Sequence, residues 1–177
     1  RIYRRSTNAW ENVGDGYALA LDVGAELQDM EMIQFHPTGM IYPESVEGML
    51  VTESVRGEGG ILLNAHGERF MKRYDPQRLE LSTRDVVARA VYNEIINGRG
   101  TRHGGVWLDI TQKPKSYILQ RLPKMYRQFK SVGVDISKER MEVAPTAHYS
   151  MGGIRVNGIS KTSVQGLFAI GEVTGGL

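Results

Sequence analysis

Two short runs concentrate side chains that can hold an anion and move a proton. Phe35-His36-Pro37-Thr38-Gly39 and Thr52-Glu53-Ser54-Val55-Arg56-Gly57-Glu58-Gly59-Gly60 each set hydrogen-bonding or charged groups beside glycine or proline. Those two residue types let a backbone turn sharply or come close to a ligand. Histidine and threonine can donate hydrogen bonds to a carboxylate, and arginine can clamp one or act as an acid. By composition, these runs suit a small carboxylate-bearing molecule. Each residue also has a plainer reading. A lone His36 or His148 is more often a hydrogen-bonded structural histidine, Arg56, Arg84 and Glu53 are more often salt-bridge partners, and Thr52 suits a strand.

A third signal comes from the elements that must carry these groups. STRDVVARAVYNEIIN, Ser82 to Asn97, is the clearest helix, with Val87, Ala90, Val91 and Ile95 as its buried stripe. Ser82 is expected to cap it, with Asp85 as the partner in a capping-box variant and Gly98 as the stop. Arg84 falls inside that first turn, where a cation opposes the helix dipole by ~0.3–1 kcal/mol. Local stability gives no reason for an arginine there.

The remaining elements follow from periodicity and breakers. Arg1 to Trp10 reads as a loop or short strand. A helix from Gly16 to Glu26 follows, with Asp15 as its N-cap and as a carboxylate placed for a nucleotide. MEMIQFHPTG should be a strand ending at Pro37, Pro43-Glu44-Ser45 a turn, and Ile61 to Asn64 a short strand. The stretch ERFMKRYDPQRLEL is polar and irregular. GRGTRHGG is read as a turn, because His103 stands where a dinucleotide loop needs its third glycine and the segment follows a helix. Val106 to Ile110 should be a strand, and Lys115 to Ser131 helical, kinked or divided at Pro123 and ended by Gly133. After APTAHYSMGG comes the strand-like Ile154-Arg155-Val156. GLFAIGE is expected to be a buried strand ending in Gly171 and Glu172, the kind of strand end at which α/β sheets bind cofactors.

Composition closes several routes. Apolar content of 41% and charged content of 24% are those of an ordinary globular chain. A net charge of +2 over 177 residues, with basic residues scattered, gives no basis for nucleic-acid binding. The absence of cysteine removes disulfides, thiolate metal sites and iron–sulfur ligation from this stretch. The four histidines are dispersed without ligand spacing, so no metal is expected. No apolar run reaches the ~18 residues of a membrane span. The opening RIYRRSTNAW and the ending GEVTGGL both read as cut from a longer chain.

Together these motifs resemble the flavoprotein subunit of the succinate dehydrogenase and fumarate reductase family, to which L-aspartate oxidase also belongs. The strings are TNAWENVGDGYALA, QFHPTG, TESVRGEGG, LLNAHGERFMKRY, STRDVVARA, VWLDIT, APTAHYSMGGI and GLFAIGE, in family order over nearly the whole chain. The resemblance implies an α+β capping domain at residues 30–145. It is flanked by pieces of an α/β FAD-binding domain at 1–29 and 146–177. It further implies FAD as cofactor and a C4 dicarboxylate as substrate, held between cap and isoalloxazine. His36, Thr52 and Glu53 are then ligands of one substrate carboxylate and His148 of the other. Arg84 is the proton donor or acceptor, and Arg56 and Glu53 are its relay. Asp15 and Glu172 resemble FAD-contacting carboxylates, while Glu58, Arg69, Arg73 and Asp75 are left as solvated or structural.

The implied setting is electron transport and the tricarboxylic acid cycle. It brings an iron–sulfur subunit, membrane-anchor subunits, and a cytoplasmic location or a peripheral one on the inner face of the cell membrane. The family's dinucleotide fingerprint and its second-carboxylate arginine are not in this stretch. By itself the chain is therefore expected neither to hold FAD tightly nor to turn over. L-aspartate oxidase is the rival within the family, and a non-catalytic ligand-binding or interaction module is the rival outside it.

Overall fold

Glycine sets the first helix. In the computed structural model, which describes residues 2–176, Gly14 adopts φ 91° as the N-cap of α1 (Asp15–Asp22). Its carbonyl takes the amides of Tyr17 and Ala18 at 3.0 and 3.2 Å. Asp15 is thus the first helical residue and not the cap, because the left-handed conformation that the turn needs is the one glycine adopts without strain. The helix stops at Asp22, short of the expected Glu26, with Gly24 at φ 81° just beyond.

Contacts divide the chain into two compact units. The first comprises the residues up to Phe35 together with those from Ala147 onward, and the second runs from His36 to Thr146. The sequence places its divisions after Asp29 and after Pro145. The stretch 30–35 groups with the first unit because Met151 donates to the Met32 carbonyl at 2.9 Å and Tyr3 meets Phe35 edge-on at 5.3 Å.

The second unit is built on a four-stranded sheet in the order β2 (Ile33–Tyr42), β5 (Met141–Ser150), β4 (Val106–Asp109), β3 (Ile61–Leu63). β3 and β4 are antiparallel with Leu62 opposite Leu108, and β4 and β5 are antiparallel with Trp107 opposite Glu142. β2 does not end at Pro37 but runs on to Tyr42. It is an edge strand, and an edge tolerates a residue that cannot donate to the ladder. Gly39 is needed for packing: a Cβ there would lie 2.0 Å from Thr146 Oγ1 on β5.

Helices complete this unit. α2 (Ser54–Gly57) and α3 (Met71–Tyr74) are single turns, the latter inside the stretch expected to be irregular. α4 spans Arg84–Glu94 and passes into a π turn over Ile95–Arg99, where Gly98 takes φ 74°. Thr83, not Ser82, is its N-cap. The expected capping box does not form, since Ser82 is buried and its hydroxyl donates to Asp75, while Asp85 accepts from the Thr83 hydroxyl at 2.5 Å. Pro123 divides the following helical region into α5 (Lys115–Arg121) and α6 (Pro123–Lys130), as its missing amide requires. Val87, Ala90 and Val91 of α4 pack with Leu62, Leu108, Ile118, Phe129 and Ile136 in one core.

The first unit holds α1 and a two-stranded antiparallel sheet, β1 (Leu27–Gln28) with β6 (Gly153–Ile154). Its buried core is Ala20, Ala25, Ile154 and Ala169. GLFAIGE is not a buried strand. Phe168 makes a single bridge to Lys161 and is 59% exposed, Ile170 is 77% exposed, and Gly171–Val173 form a 3₁₀ turn. A continuous apolar run such as Leu167 to Ile170 marks a strand covered on both faces, and the described residues put no neighbour over Phe168 or Ile170.

Candidate active site

In the second unit, three charged groups meet where α2 and α4 begin. Arg84 is the first residue of α4, and its Nε donates to Glu53 Oε2 at 3.1 Å. The same oxygen lies 3.7 Å from Arg56 Nη2. Glu53 is half exposed, Arg84 partly exposed and Arg56 buried. Glu53 Oε2 thus links the buried Arg56 to the partly exposed Arg84. Burial pushes the Arg56 guanidinium below its ordinary value. Glu53 pulls it back, Arg84 adds to the lowering, and Glu80 again opposes it. Nε and Nη2 of Arg56 are buried with no hydrogen-bond partner among the described residues, whereas Nη1 donates to the Glu80 carbonyl.

His36 lies on β2 and is buried. The Thr38 amide donates to its Nδ1 at 3.3 Å, so a neutral ring carries its proton on Nε2 and can donate from there. Thr38 also bonds main chain to main chain with Val51, the residue before Thr52, and its hydroxyl donates to the Val51 carbonyl. That pairing brings the FHPTG run to the start of the TESVRGEGG run. The Thr52 hydroxyl accepts the Ser54 amide at 3.3 Å, a turn that opens α2. Thr52 is therefore a turn residue rather than a strand residue.

The first unit contains a cleft of about 430 Å³ lined by Asn8, Asn12, Gly14, Asp15, Gly16, Ser150 and Glu172, among others. The N-terminus of α1, whose first amides lack intrahelical acceptors, is part of its wall. Glu172 is fixed there: its Oε1 accepts the Ser150 amide at 2.9 Å and its carbonyl accepts the Tyr17 hydroxyl at 3.3 Å. Gly16 is required by packing, since a Cβ would stand 2.7 Å from Val173. A helix start suited to an anion, with Asp15 and Glu172 as acceptors for hydroxyls, fits part of a dinucleotide such as FAD. In the same unit, His148 Nδ1 lies 2.6 Å from Thr7 Oγ1, which orients the ring.

Of the residues set aside, Glu58 pairs with Arg121, Arg73 with Glu94 and Glu68, and Asp75 takes the Ser82 hydroxyl; all are structural contacts. Arg69 grips the buried Glu80, a residue that no sequence signal singled out.

The family model described as FAD binding domain matches residues 1–177. The chain belongs to that family. It is 60% identical over 176 residues to a fumarate reductase (CoM/CoB) protein of Methanothermobacter marburgensis, covering 99% of this chain and 32% of that protein. It is 44% identical to the L-aspartate oxidase of Acinetobacter baylyi, with 98% of this chain and 31% of that protein covered. Among solved structures, the E. coli quinol fumarate reductase FrdA superposes with a TM-score of 0.89 at 39% identity, over 98% of this chain and 32% of that one. This FAD-binding domain chain thus has the mixed helix and strand fold of a fumarate reductase flavoprotein. It spans about a third of the length of the relatives it matches.

Proposed function

We propose that this chain supplies the capping domain, His36 to Thr146, and flanking FAD-domain segments of an enzyme that interconverts succinate and fumarate. The observation that carries this reading is the Arg84–Glu53–Arg56 cluster, with Arg84 partly exposed at a helix start and Arg56 buried. Asp15 and Glu172 would hold part of FAD at the α1 cleft. Exchange of a hydride with one substrate carbon is the chemistry that bound FAD supplies.

The chain's own residues do the rest. Arg84 gives a proton to, or takes one from, the neighbouring substrate carbon. Glu53, in hydrogen-bond contact with Arg84, accepts or returns that proton. Arg56 is the group behind Glu53, its charged form disfavoured by burial. His36 and Thr52 are assigned to one substrate carboxylate and His148 to the other, roles carried over from the family resemblance. Hydrogen bonds that polarise a carboxylate make the adjacent alkene a better hydride acceptor, which favours the transition state over the ground state. Relatives named as a subunit of a fumarate reductase and as a quinol-fumarate reductase support a multi-subunit assembly, in which the proposed partners are an iron–sulfur subunit and membrane-anchor subunits. No helix among the described residues is long and apolar enough to cross a membrane.

The resemblance to L-aspartate oxidases makes L-aspartate the competing substrate. Assay of the full-length flavoprotein with succinate, fumarate and L-aspartate separates the two. Succinate oxidation or fumarate reduction without L-aspartate oxidation is expected. L-aspartate oxidation without either of the others overturns the reading.

A further inference from the structure

We infer that Arg69 and Glu80 are positioning residues for Arg56, an inference that rests on the proton path proposed above. Arg56 is held at one end. Nη1 donates to the main-chain carbonyl of Glu80, while the buried Nε and Nη2 have no hydrogen-bond partner among the described residues. Nη2 stands 3.7 Å from Glu53 Oε2, beyond direct hydrogen bonding. The aim of this guanidinium at Glu53 therefore depends on where that one carbonyl is placed.

The carbonyl is placed by the side chain of the same residue. Glu80 belongs to a 3₁₀ turn, Leu79–Leu81, entered through Leu79 at φ 50°, a conformation that a leucine does not favour. The buried Glu80 carboxylate ties this turn to β3, where Oε1 accepts the Leu62 amide at 3.1 Å. Arg69 grips it from the other side, with Nε at 3.0 and 3.2 Å from the two oxygens and Nη2 at 2.6 Å from Oε2. A bidentate fork fixes direction as well as distance, which a lysine cannot do. The pair thus transmits a fixed geometry from β3, through the turn, to Arg56. It also neutralises a buried carboxylate that would otherwise strengthen the hold of Arg56 on its proton.

The test uses the full-length holoenzyme, with Glu80→Gln, Arg69→Lys and Arg56→Ala measured side by side and rates expressed per bound flavin. Glu80→Gln keeps the shape and an acceptor for Leu62 but loses the ion pair. Its kcat should fall roughly ten- to a hundredfold, as expected of a misaimed catalytic group. KM for the dicarboxylate should stay within about twofold, since uniform binding is untouched. The solvent deuterium isotope effect on kcat should rise, because proton delivery becomes the slower step. Arg69→Lys, at a partly exposed position, should show the same signature in weaker form, and it carries the test if Glu80→Gln does not fold. A merely structural role would lower flavin content and leave the isotope effect per site unchanged. A wild-type rate in Arg56→Ala overturns the proton path and this inference with it. A slow Arg56→Ala beside variants of Glu80 and Arg69 with wild-type rate, or with an unchanged isotope effect, overturns this inference alone.

Discussion

The two units differ in what holds them. The second has a continuous core that includes Leu62, Phe70, Leu108, Ile118, Phe129 and Ile136, all fully buried. The first buries three alanines and one isoleucine, while Leu19, Phe168 and Ile170 are 69%, 59% and 77% exposed. Burying a large apolar side chain is worth about 1.5–3 kcal/mol. Four small or medium side chains supply far less of this stabilisation than the second unit's core does. The candidate proton path lies in the well-packed unit and the candidate cofactor cleft in the sparsely packed one. Proton transfer needs donors and acceptors held at fixed distance, and that precision is found where packing is dense.

Hydrogen exchange of the chain gives the largest expected contrast. Amides of β3, β4 and α4 should exchange at least ~10³-fold more slowly than those of α1 and residues 159–170. Uniform protection would show that the two units do not differ in local stability. Substitution sharpens the contrast: Phe129→Ala should cost about 3–5 kcal/mol in a denaturant titration, against no more than about 0.5 kcal/mol for Leu19→Ala. Equal losses would contradict the assignment of the core.

A smaller effect concerns the buried Glu94, which receives hydrogen bonds from Arg99, Asn64, Tyr74 and Arg73. Burial pushes its carboxyl up, but those four partners outweigh burial and hold it at about 2, below the ordinary 4.5. A folded-state value below the unfolded one means stabilisation that is present above about pH 4.5 and lost as pH falls towards 2. Glu94→Gln should therefore flatten the acid limb of the second unit's stability curve. An acid limb identical to that of the parent chain would show that Glu94 does not contribute.

Much of the second unit was legible because local rules and tertiary packing agree there. The buried stripe of α4, the break at Pro123 and the strand at Val106 each follow from spacing or from a missing amide. The failures have physical causes. β2 passes through Pro37 because it is an edge strand, and edge position is a property of the sheet, not of the segment. Asp15 does not cap α1 because Gly14 already does. GLFAIGE carries the continuous apolar run of a buried strand, yet covering its apolar side chains depends on what surrounds it. Within the candidate site, Arg84 stood out because a cation at a helix start is locally unfavourable. Glu80 did not, since its partners Arg56, Leu62 and Arg69 are distant in sequence and no periodicity links them.

The proposed reaction depends on Arg84 to exchange the proton and on Glu53 to serve it. Steady-state turnover of the full-length Arg84→Ala enzyme with succinate and with fumarate, at matched flavin content, separates that role from a structural one. General acid–base catalysis contributes about 10²–10⁴-fold, so kcat should fall by at least that lower bound while the fold and flavin binding persist. Turnover near the parent rate in a folded, flavin-loaded Arg84→Ala enzyme would contradict that role.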